Sequence, residues 1–363
     1  MMKADEGLQM NRIFLIVVLL ICMAIHMACP YSYAEDAVSG TAPKTEDASA
    51  IDADGPGLKL MSTASLASMG GEGDISSGSV GKGLGLSPLL SESFQTDLAT
   101  GSATAGIPIT VPPGRKNMQP SLALSYSNNN PNGVCGVGWS LSSSSIQRST
   151  KKGTPKYDNS DTFVFGSSGS SGELVLVDPA AGEYRQKIET AFMKYLFDSA
   201  DSKWTVWDKT GNKYTFGSSA ASRIVSPDGT KIFAWYLDRV EDVYGNAVVF
   251  TYEKDAGQIY LSKVEYAVNS VVTPPLTGDK EVDIIYETGR QDVVSNYRSG
   301  WQVDTAKRLK EIRVKVDGVL VWRYELGYSA SVDTQRSLLA QVTLFDAAGN
   351  SLPPKKFRYQ TIE

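Results

Sequence analysis

The chain has 363 residues, and 35 lysines and arginines against 40 aspartates and glutamates give it a net charge of −5 at pH 7. A protein that binds nucleic acid or an anionic lipid surface needs a basic patch, and nothing in this composition supplies one. We therefore expect no nucleic-acid partner.

Residues 1–34 are typical of a secretory signal peptide. Arg12 precedes an uninterrupted apolar run from Ile13 to Ile25, and small residues stand at positions −3 and −1 before Glu35. The run is shorter than the roughly 20 residues that a membrane-spanning helix needs. We expect a secreted, extracellular protein with no membrane span after cleavage; the alternatives are an uncleaved anchor and a lipoprotein attached at Cys29.

The use of cysteine and histidine excludes several enzyme classes. Cys22, Cys29 and His26 lie within residues 1–34, so cleavage leaves Cys135 as the single cysteine and leaves no histidine. A Ser-His-Asp triad, a Cys-His pair and a zinc site of the usual ligands all need these residues. We interpret Cys135 as a small packed residue. The sequence predicts no catalytic, cofactor-binding or metal-binding residues, and no cofactor.

Residues 35–92 predict a flexible low-complexity linker. The segment contains no Phe, Trp or Tyr and is dominated by Ala, Ser, Gly, Thr and Asp, so it cannot bury enough apolar surface to fold. Asp52 to Gly55 resembles the start of a calcium loop, but the later ligands are missing. Residues 93–363 hold the aromatic residues needed for a core, and we expect one folded domain there, or two sub-domains.

The pattern of residues 93–363 predicts an all-β fold of antiparallel hairpins and twisted sheets, a β-rich shell segment with little helix. Short runs of Val, Thr, Tyr and Ile are broken by Gly, Asn, Asp and Pro. The clearest strand is 320–328, where large apolar residues occupy every second position. Only Ala191 to Asp198 suggests a helix.

A two-residue hairpin turn is predicted at Asp317-Gly318, because both positions must accept a positive φ. The simplest register then pairs Val314 with Val321 and Arg313 with Trp322. One face of this hairpin would mix cations with aromatic rings.

Three segments share the pattern Asp-x-x-Gly-Asn, namely 208–212, 242–246 and 346–350. Asp can cap a turn with its side chain, and we expect the Gly and the Asn to take left-handed conformations. The spacing is irregular, which favours a recurring hairpin device over a solenoid repeat. Calcium binding by these aspartates is the alternative.

Paired carboxylates occur at Asp158 and Asp161. They could form acid–base machinery or a metal site, and a polar turn before the strand that starts at Thr162 is the simpler account. Glycosidase chemistry needs two carboxylates held apart across a cleft, which the sequence does not establish.

Short motifs follow one another in a fixed order through the second part of the chain. They occupy residues 97–101, 107–109, 111–115, 119–122, 124–126, 136–140, 146–148, 155–157, 235–240, 242–246 and 299–305. Their order and density resemble the N-terminal domain of the SpvB family, which is shared by B subunits of insecticidal toxin complexes and by RHS-repeat proteins. The resemblance covers residues 84–363.

This resemblance implies a β-rich scaffold. In toxin-complex B subunits the domain is similar in role to a wall segment of a hollow β-shell, which encloses a toxic region and docks to a pore-forming partner. In the SpvB protein the toxic activity is a C-terminal ADP-ribosyltransferase. No two glutamates here stand two residues apart, so the paired-glutamate signature of that transferase is missing. We expect this chain to lack the toxin region.

The motif residues can be explained without catalysis. Pro108, Pro112 and Pro113 lack an amide donor, so we expect them outside any central strand. Gly136 and Gly138 predict a tight bend that places the ring of Trp139 in the core.

The leading functional hypothesis is a secreted, non-catalytic scaffold or assembly module whose partner is an RHS-repeat or toxin-complex protein. Its edge around residues 357–359 would be open to further strands. The alternative is a stand-alone module that binds a surface or glycan through exposed Trp204 and Trp207. A carboxylate-dependent enzyme is the third possibility.

Overall fold

The structure, a computed structural model, describes residues 93–97, 102–167, 170–189 and 191–359. All of them belong to the unit Gly57–Glu363. They form antiparallel strands with two 3-10 turns, which confirms the all-β prediction. The predicted signal peptide, the linker and the segment from Asp52 to Gly55 lie outside the described residues, and the domain boundaries stay a prediction. Among the described residues no helix is long and apolar enough to cross a membrane.

The strands form two sheets and two small ribbons. The small sheet has the order β1 (Ser93–Asp97), β2 (Ser102–Ile109), β3 (Leu122–Ser127), β6 (Trp139–Leu141). The large sheet has the order β13 (Lys213–Phe216), β12 (Lys203–Trp207), β11 (Lys194–Asp198), β10 (Glu183–Gln186), β9 (Ser170–Asp178), β8 (Phe163–Ser167), β7 (Ser144–Arg148), β15 (Ile232–Glu241), β16 (Asn246–Asp255), β17 (Gln258–Asn269), β18 (Lys280–Glu287), β21 (Arg308–Val316), β22 (Val319–Ala330), β23 (Ser337–Asp346), β24 (Lys355–Lys356), with β14 (Arg223–Val225) beside β15. The ribbons pair β4 (Asn132–Gly133) with β5 (Gly136–Val137), and β19 (Val294–Asn296) with β20 (Val303–Thr305). The 3-10 turns are Arg115–Asn117 and Ala220–Ser222.

Part of the large sheet closes into a ring. Strand β15 pairs with β13 and β14 along one edge, and with β7 and β16 along the other. Because β7 to β13 are hydrogen-bonded in sequence, the two ends of that series meet on β15. Closure leaves these strands without a free edge.

Aromatic side chains fill the space that the ring encloses. Phe163 on β8 lies 5.0 Å from Trp204 on β12, and Trp204 lies 6.2 Å from Trp235 on β15, measured between ring centroids. These strands are not neighbours in the ring, so the contacts cross its interior. Trp204 is completely buried. The interior is therefore a packed core rather than a channel.

Beyond the ring, β16 to β18 and β21 to β24 form a sheet with one charged and one apolar face. On the charged face Lys263, Glu281 and Lys315 form cross-strand ion pairs at 2.9 and 3.2 Å. The apolar face includes Val282 and Val314, both fully buried, which alternate with the charged residues along their strands. This alternation with a period of two is the pattern that the sequence predicted.

The small sheet covers that apolar face. The indole nitrogen of Trp322 on β22 donates to the carbonyl of Thr110 at 3.0 Å, and the amide of Thr110 donates to the hydroxyl of Tyr324 at 3.1 Å. Ile107 and Leu124 from the small sheet are fully buried. Two stacked sheets therefore share one core.

The expectation that proline lies outside central strands is wrong for Pro108. It lies within β2, which pairs with β1 on one side and β3 on the other. The described part of strand β1 begins at Ser93, opposite Gly106, and does not extend to Pro108. The backbone of Ala123, which faces Pro108, bonds to Ser142 on its other side. The missing amide donor therefore falls where no described strand requires it. Pro112 lies outside the strands as expected.

The bend before Trp139 is confirmed. Gly136 and Gly138 have φ values of 83° and 80°, and Trp139 is buried against Tyr126 with centroids 5.4 Å apart. A β-carbon on Gly138 would lie 2.4 Å from the ring of Tyr126, so the position needs glycine for space as well as conformation.

The Asp317-Gly318 hairpin is confirmed, and its predicted register is wrong beyond the first two pairs. Both turn residues have positive φ values, 50° and 75°. A β-bulge shifts the pairing after Lys315, so Val314 faces Trp322 and Arg313 faces Arg323. The bulge turns Trp322 toward the core and leaves the arginines on the charged face. The expected mixed face of cations and rings is thus separated into two faces.

One further expectation is corrected. Ala191 to Asp198 is not a helix, because Lys194–Asp198 is strand β11, paired with β10 and β12. The segment 357–359 continues the last strand of the large sheet, since the amide of Phe357 donates to the carbonyl of Ala340 at 2.8 Å beside the β23–β24 pairing. Among the described residues no strand pairs with the other side of β24, and the open edge there stays a prediction.

Candidate functional site

Arg148, from the motif at residues 146–148, joins several of the motif segments. It ends strand β7, and its Nε donates to the carbonyl of Ile232 at 2.9 Å. Its Nη1 forms an ion pair with the buried carboxylate of Asp161 at 2.9 Å, and the guanidinium lies 5.1 Å from the ring centre of Tyr157. All of these contacts are made within the protein, so Arg148 organises the fold.

Tyr157 connects this cluster to a second motif. Its hydroxyl donates to the carbonyl of Ser299 at 2.6 Å, and its ring lies 5.5 Å from that of Trp301. Burial raises the pKa of Tyr157 to about 12, so the hydroxyl keeps its proton at neutral pH. Residues 294–305, which we call the arm, are β19, β20 and their connection. Tyr157 thus fixes the arm against the ring.

The two carboxylates at Asp158 and Asp161 form a turn rather than a catalytic pair. Asp161 accepts the amides of Lys156 and Tyr157 at 2.9 and 2.7 Å. Asp158 accepts the amide of Ser160 at 2.8 Å, and hydrogen bonds from Ser160 lower the pKa of Asp158. These contacts agree with the polar-turn interpretation.

Asp238, from the motif at residues 235–240, is buried beneath a serine-rich turn. Its Oδ2 accepts the amide of Ser218 at 2.6 Å, the amide of Ser219 at 3.1 Å and the hydroxyl of Ser222 at 2.9 Å. The carboxylate therefore holds together the connection between β13 and β14, at the junction where β15 closes the ring.

A cleft opens between the arm and the wall of the ring, and we call it the arm cleft. Its volume is about 130 Å³. Several of the motif segments meet there, since Gln147, Tyr236 and Thr305 all line it. The remaining lining residues are Ile224, Phe233, Gln258, Asn296, Ser299 and Val303. Three of the motif segments, 146–148, 235–240 and 299–305, therefore face this cleft together.

The three Asp-x-x-Gly-Asn segments form the same hairpin tip three times. In each, the backbone N–H of the Asn donates to Oδ1 of the Asp at 2.8–3.0 Å. The side-chain Nδ2 of the same Asn donates to Oδ2 of the Asp at 2.8–3.0 Å. The glycines have φ values of 79–88°, but the asparagines do not take the left-handed conformation that we expected. The recurring hairpin device is confirmed, and its aspartates bond to their own turns. In the part of the chain that the structure describes, no three His, Cys, Asp or Glu side chains cluster to hold a metal ion.

Neighbouring connections expose apolar side chains at one end of the large sheet. Val243, Tyr244 and Val271 are 65%, 59% and 69% exposed, and Val272 is 40% exposed. They are contiguous, because a β-carbon on Gly245 would touch the side chain of Val271. We call these four residues the tip patch. Exposed apolar surface of this kind usually marks an interaction site.

Cations border the tip patch. The amino group of Lys116 lies 3.4 Å from the ring centre of Tyr244. Lys209 sits on the adjacent hairpin tip, where a β-carbon on Gly211 would lie 2.8 Å from Val243. The patch is therefore apolar with a positive border.

Sequence reasoning missed one buried ion pair. The side chain of Arg290 is fully buried and donates to both carboxylate oxygens of Asp292 at 3.0 Å. Asp292 also accepts from Asn132 and from the amide and hydroxyl of Ser337. Burial alone would raise the pKa of Asp292, but these hydrogen bonds outweigh it and hold the pKa well below its usual range. Arg290 and Asp292 are only two positions apart, but the groups that enclose them, Asn132, Gly133 and Ser337, are distant in sequence, so no local pattern signals that the pair is buried.

The structure agrees with the sequence prediction for Cys135 and disagrees with the prediction for Trp204. Cys135 is completely buried, and burial raises its pKa to about 12, in agreement with a packed thiol rather than a nucleophile. Trp204 is not an exposed aromatic as expected, since it lies inside the ring. Trp207 is half-buried on the same strand. The expectation that the chain has no catalytic, cofactor or metal residues stays a prediction.

Comparisons with known proteins point to the same family that the motif residues resemble. Residues 97–271 match the family described as "Salmonella virulence plasmid 65kDa B protein". The mono(ADP-ribosyl)transferase SpvB of Salmonella choleraesuis (strain SC-B67) is 28% identical over 221 residues, which are 49% of this chain and 36% of that protein. This chain therefore matches 36% of the length of that relative.

Solved structures share the fold. A crystal structure of TcdB2-TccC3 aligns with a TM-score of 0.66 at 22% identity, over 80% of this chain and 18% of the other. The N-terminal domain of the effector SpvB from Salmonella typhimurium strain LT2 aligns with a TM-score of 0.55 at 21% identity, over 66% of this chain and 98% of the other. Residues 97–271 therefore resemble the SpvB family, and the described part of the chain shares the fold of these SpvB and toxin-complex structures.

Proposed function

We propose that this chain is a secreted, non-catalytic scaffold module that assembles with a protein partner of the RHS-repeat or toxin-complex type. The observation that carries this proposal is the way in which the motif residues are used. Arg148, Tyr157, Asp161 and Asp238 all bond to other parts of the fold. They tie one segment to another.

The comparisons support the kind of partner that we propose. The SpvB relative is named for a transferase activity, and the solved domain that this chain covers almost completely is the N-terminal domain of SpvB. Another solved structure of this fold is described as a Photorhabdus luminescens Tc holotoxin pore, with a TM-score of 0.65 at 22% identity over 75% of this chain and 16% of the other. Both support assembly with a larger toxin protein.

The tip patch is the surface that we assign to the partner. Burying its four side chains would remove apolar area from water, and Lys116 and Lys209 would select a partner surface with acidic groups at its border. The edge of the large sheet at β24 is a weaker candidate, because this last strand has only two residues.

The proposal is tested by measuring the association state of the secreted chain with light scattering after size-exclusion chromatography. The chain is measured alone and after co-expression with a repeat-containing toxin-complex component. We expect self-association of the chain alone and a defined complex with the partner. The double substitution Tyr244→Ser and Val271→Ser should weaken both. Val175→Ser with Val177→Ser removes exposed valines from strand β9 and is the matched control. A clean monomer that forms no complex would refute the scaffold proposal.

Export is a separate part of the proposal. The mature extracellular protein should begin at Glu35, and N-terminal sequencing of the exported chain tests this. Lipid attached at Cys29 would instead assign a membrane anchor.

A further inference from the structure

The arm cleft has an uncharged lining. Its nine lining residues include three side-chain amides and three side-chain hydroxyls but no Lys, Arg, Asp or Glu. A charged ligand entering it would lose hydration without meeting an opposite charge, which is unfavourable. The chemistry of the cleft therefore selects a neutral, polar ligand.

Part of the hydrogen-bonding capacity in this cleft is unused. Among the described residues, no group bonds to the side-chain amide of Gln147 or to the hydroxyl of Tyr236. By contrast, Gln258 donates to the hydroxyl of Thr305 at 3.4 Å, and Ser299 donates to the carbonyl of Trp301 at 3.0 Å. Gln147 and Tyr236 are held on adjacent strands, since β7 and β15 pair through residues 145–147 and 234–236. Two rigid strands thus present a donor and an acceptor side by side.

The cleft also has an apolar part. Phe233 and Ile224 line it from the ring side, and Val303 lines it from the arm. A sugar ring combines hydroxyl groups around its rim with an apolar face of C–H groups, and this combination matches amides and hydroxyls next to aromatic and aliphatic side chains. A volume of about 130 Å³ is well below the roughly 300–1,000 Å³ of sites for drug-sized ligands, so it fits one ring.

We propose that the arm cleft binds one residue of a neutral saccharide, with Gln147 and Tyr236 as its hydrogen-bonding groups. This site is independent of the scaffold role and lies on different elements from the tip patch. A scaffold with such a site would contact a glycan-bearing surface in addition to its protein partner.

The experiment uses the full secreted chain and methyl glycosides of glucose, galactose and mannose, together with N-acetylglucosamine, as probes in ligand-observed NMR. A single sugar ring makes few contacts, so millimolar dissociation constants are expected. Tyr236→Phe and Gln147→Leu each remove one hydrogen-bonding group and should weaken binding about fivefold. Tyr297→Phe is the matched control, because Tyr297 belongs to the arm, is 60% exposed and does not line the cleft.

The outcomes are distinct. Binding that is weakened about fivefold in Tyr236→Phe and kept in Tyr297→Phe, with an unchanged melting temperature, supports the proposal. No binding of any probe, or binding that Tyr236→Phe and Gln147→Leu leave intact, overturns it. Loss of the complex with the toxin-complex partner in Tyr236→Phe would also overturn it and would assign the cleft to a polypeptide. The tip-patch variants report on the scaffold role separately, because they leave the cleft unchanged.

Discussion

The substitution Asp292→Asn should strongly destabilise the fold. It keeps the shape of the side chain but removes the negative charge opposite the fully buried guanidinium of Arg290. The new amide group would also face donors from Asn132 and Ser337, which now bond to carboxylate oxygens. Removing one partner of a buried ion pair costs about 3–5 kcal/mol. That is a large share of the roughly 5–15 kcal/mol that stabilises a typical domain.

The assay is unfolding in guanidinium chloride at pH 7, monitored by tryptophan fluorescence. The slope m of the free energy of unfolding against denaturant concentration should be the same in the variant and the wild type. Asp304→Asn is the control, because the carboxylate of Asp304 bonds to Gln302 and Ser295 near the surface. Replacing Arg290 and Asp292 together, by Met and Leu, should recover part of the loss, since no charge is then left unpaired. A midpoint for Asp292→Asn equal to that of the control would refute the reasoning.

The same pair predicts a pH dependence. The pKa of Asp292 is lower in the folded state than its value of about 3.9 in an unfolded chain. Its stabilising contribution is therefore complete above the unfolded pKa and is lost as the pH falls through the folded pKa. In the wild type the free energy of unfolding should fall between about pH 5 and pH 2, and this fall should be shallower in Asp292→Asn. Identical acid limbs in the two proteins would contradict the assignment.

Three further predictions concern the core. Both Gly136 and Gly349 have a positive φ, so replacing either by Ala should destabilise the fold, by roughly 1–2 kcal/mol at Gly349. Gly136→Ala should cost more, because only there would the new β-carbon lie 2.5 Å from a backbone carbonyl oxygen. Equal unfolding midpoints for the two variants would contradict this. Cys135 should stay unmodified by iodoacetamide in the folded protein and react after unfolding, and native labelling detected there by mass spectrometry would refute its burial. Trp204→Ala should lower the free energy of unfolding by about 3–5 kcal/mol, and Trp207→Ala should lower it by less, as measured by thermal unfolding. The reason is that, of these two tryptophans, only Trp204 is packed inside the ring.

Local chemistry explains which sequence predictions succeeded. The Asp317-Gly318 turn and the three Asp-x-x-Gly-Asn tips depend on the φ values of two or three consecutive residues and on bonds within five residues. The bend that buries Trp139 is of the same kind. Such features depend only on the residues that form them and on their near neighbours, so a single sequence suffices to predict them.

The failures all involve partners that are distant in the chain. The helix suggested at Ala191 to Asp198 is overridden by pairing of β11 with two other strands. Pro108 is tolerated within β2 because no described residue of β1 lies opposite it, which no local pattern reveals. The tip patch could have been suspected from the uncharged run at residues 270–278, but its union with Tyr244 depends on the sheet order.

From its residues alone, this protein could be assigned to the all-β class, to a set of hairpins and to a family, because turn chemistry and a period of two act between near neighbours. The closure of the ring on β15, the burial of Trp204 and the meeting of Gln147 with the arm required the folded chain. The physical reason is that alternation specifies which face of a strand is buried but not which strand becomes its neighbour. That choice is made by the packing of all the strands together.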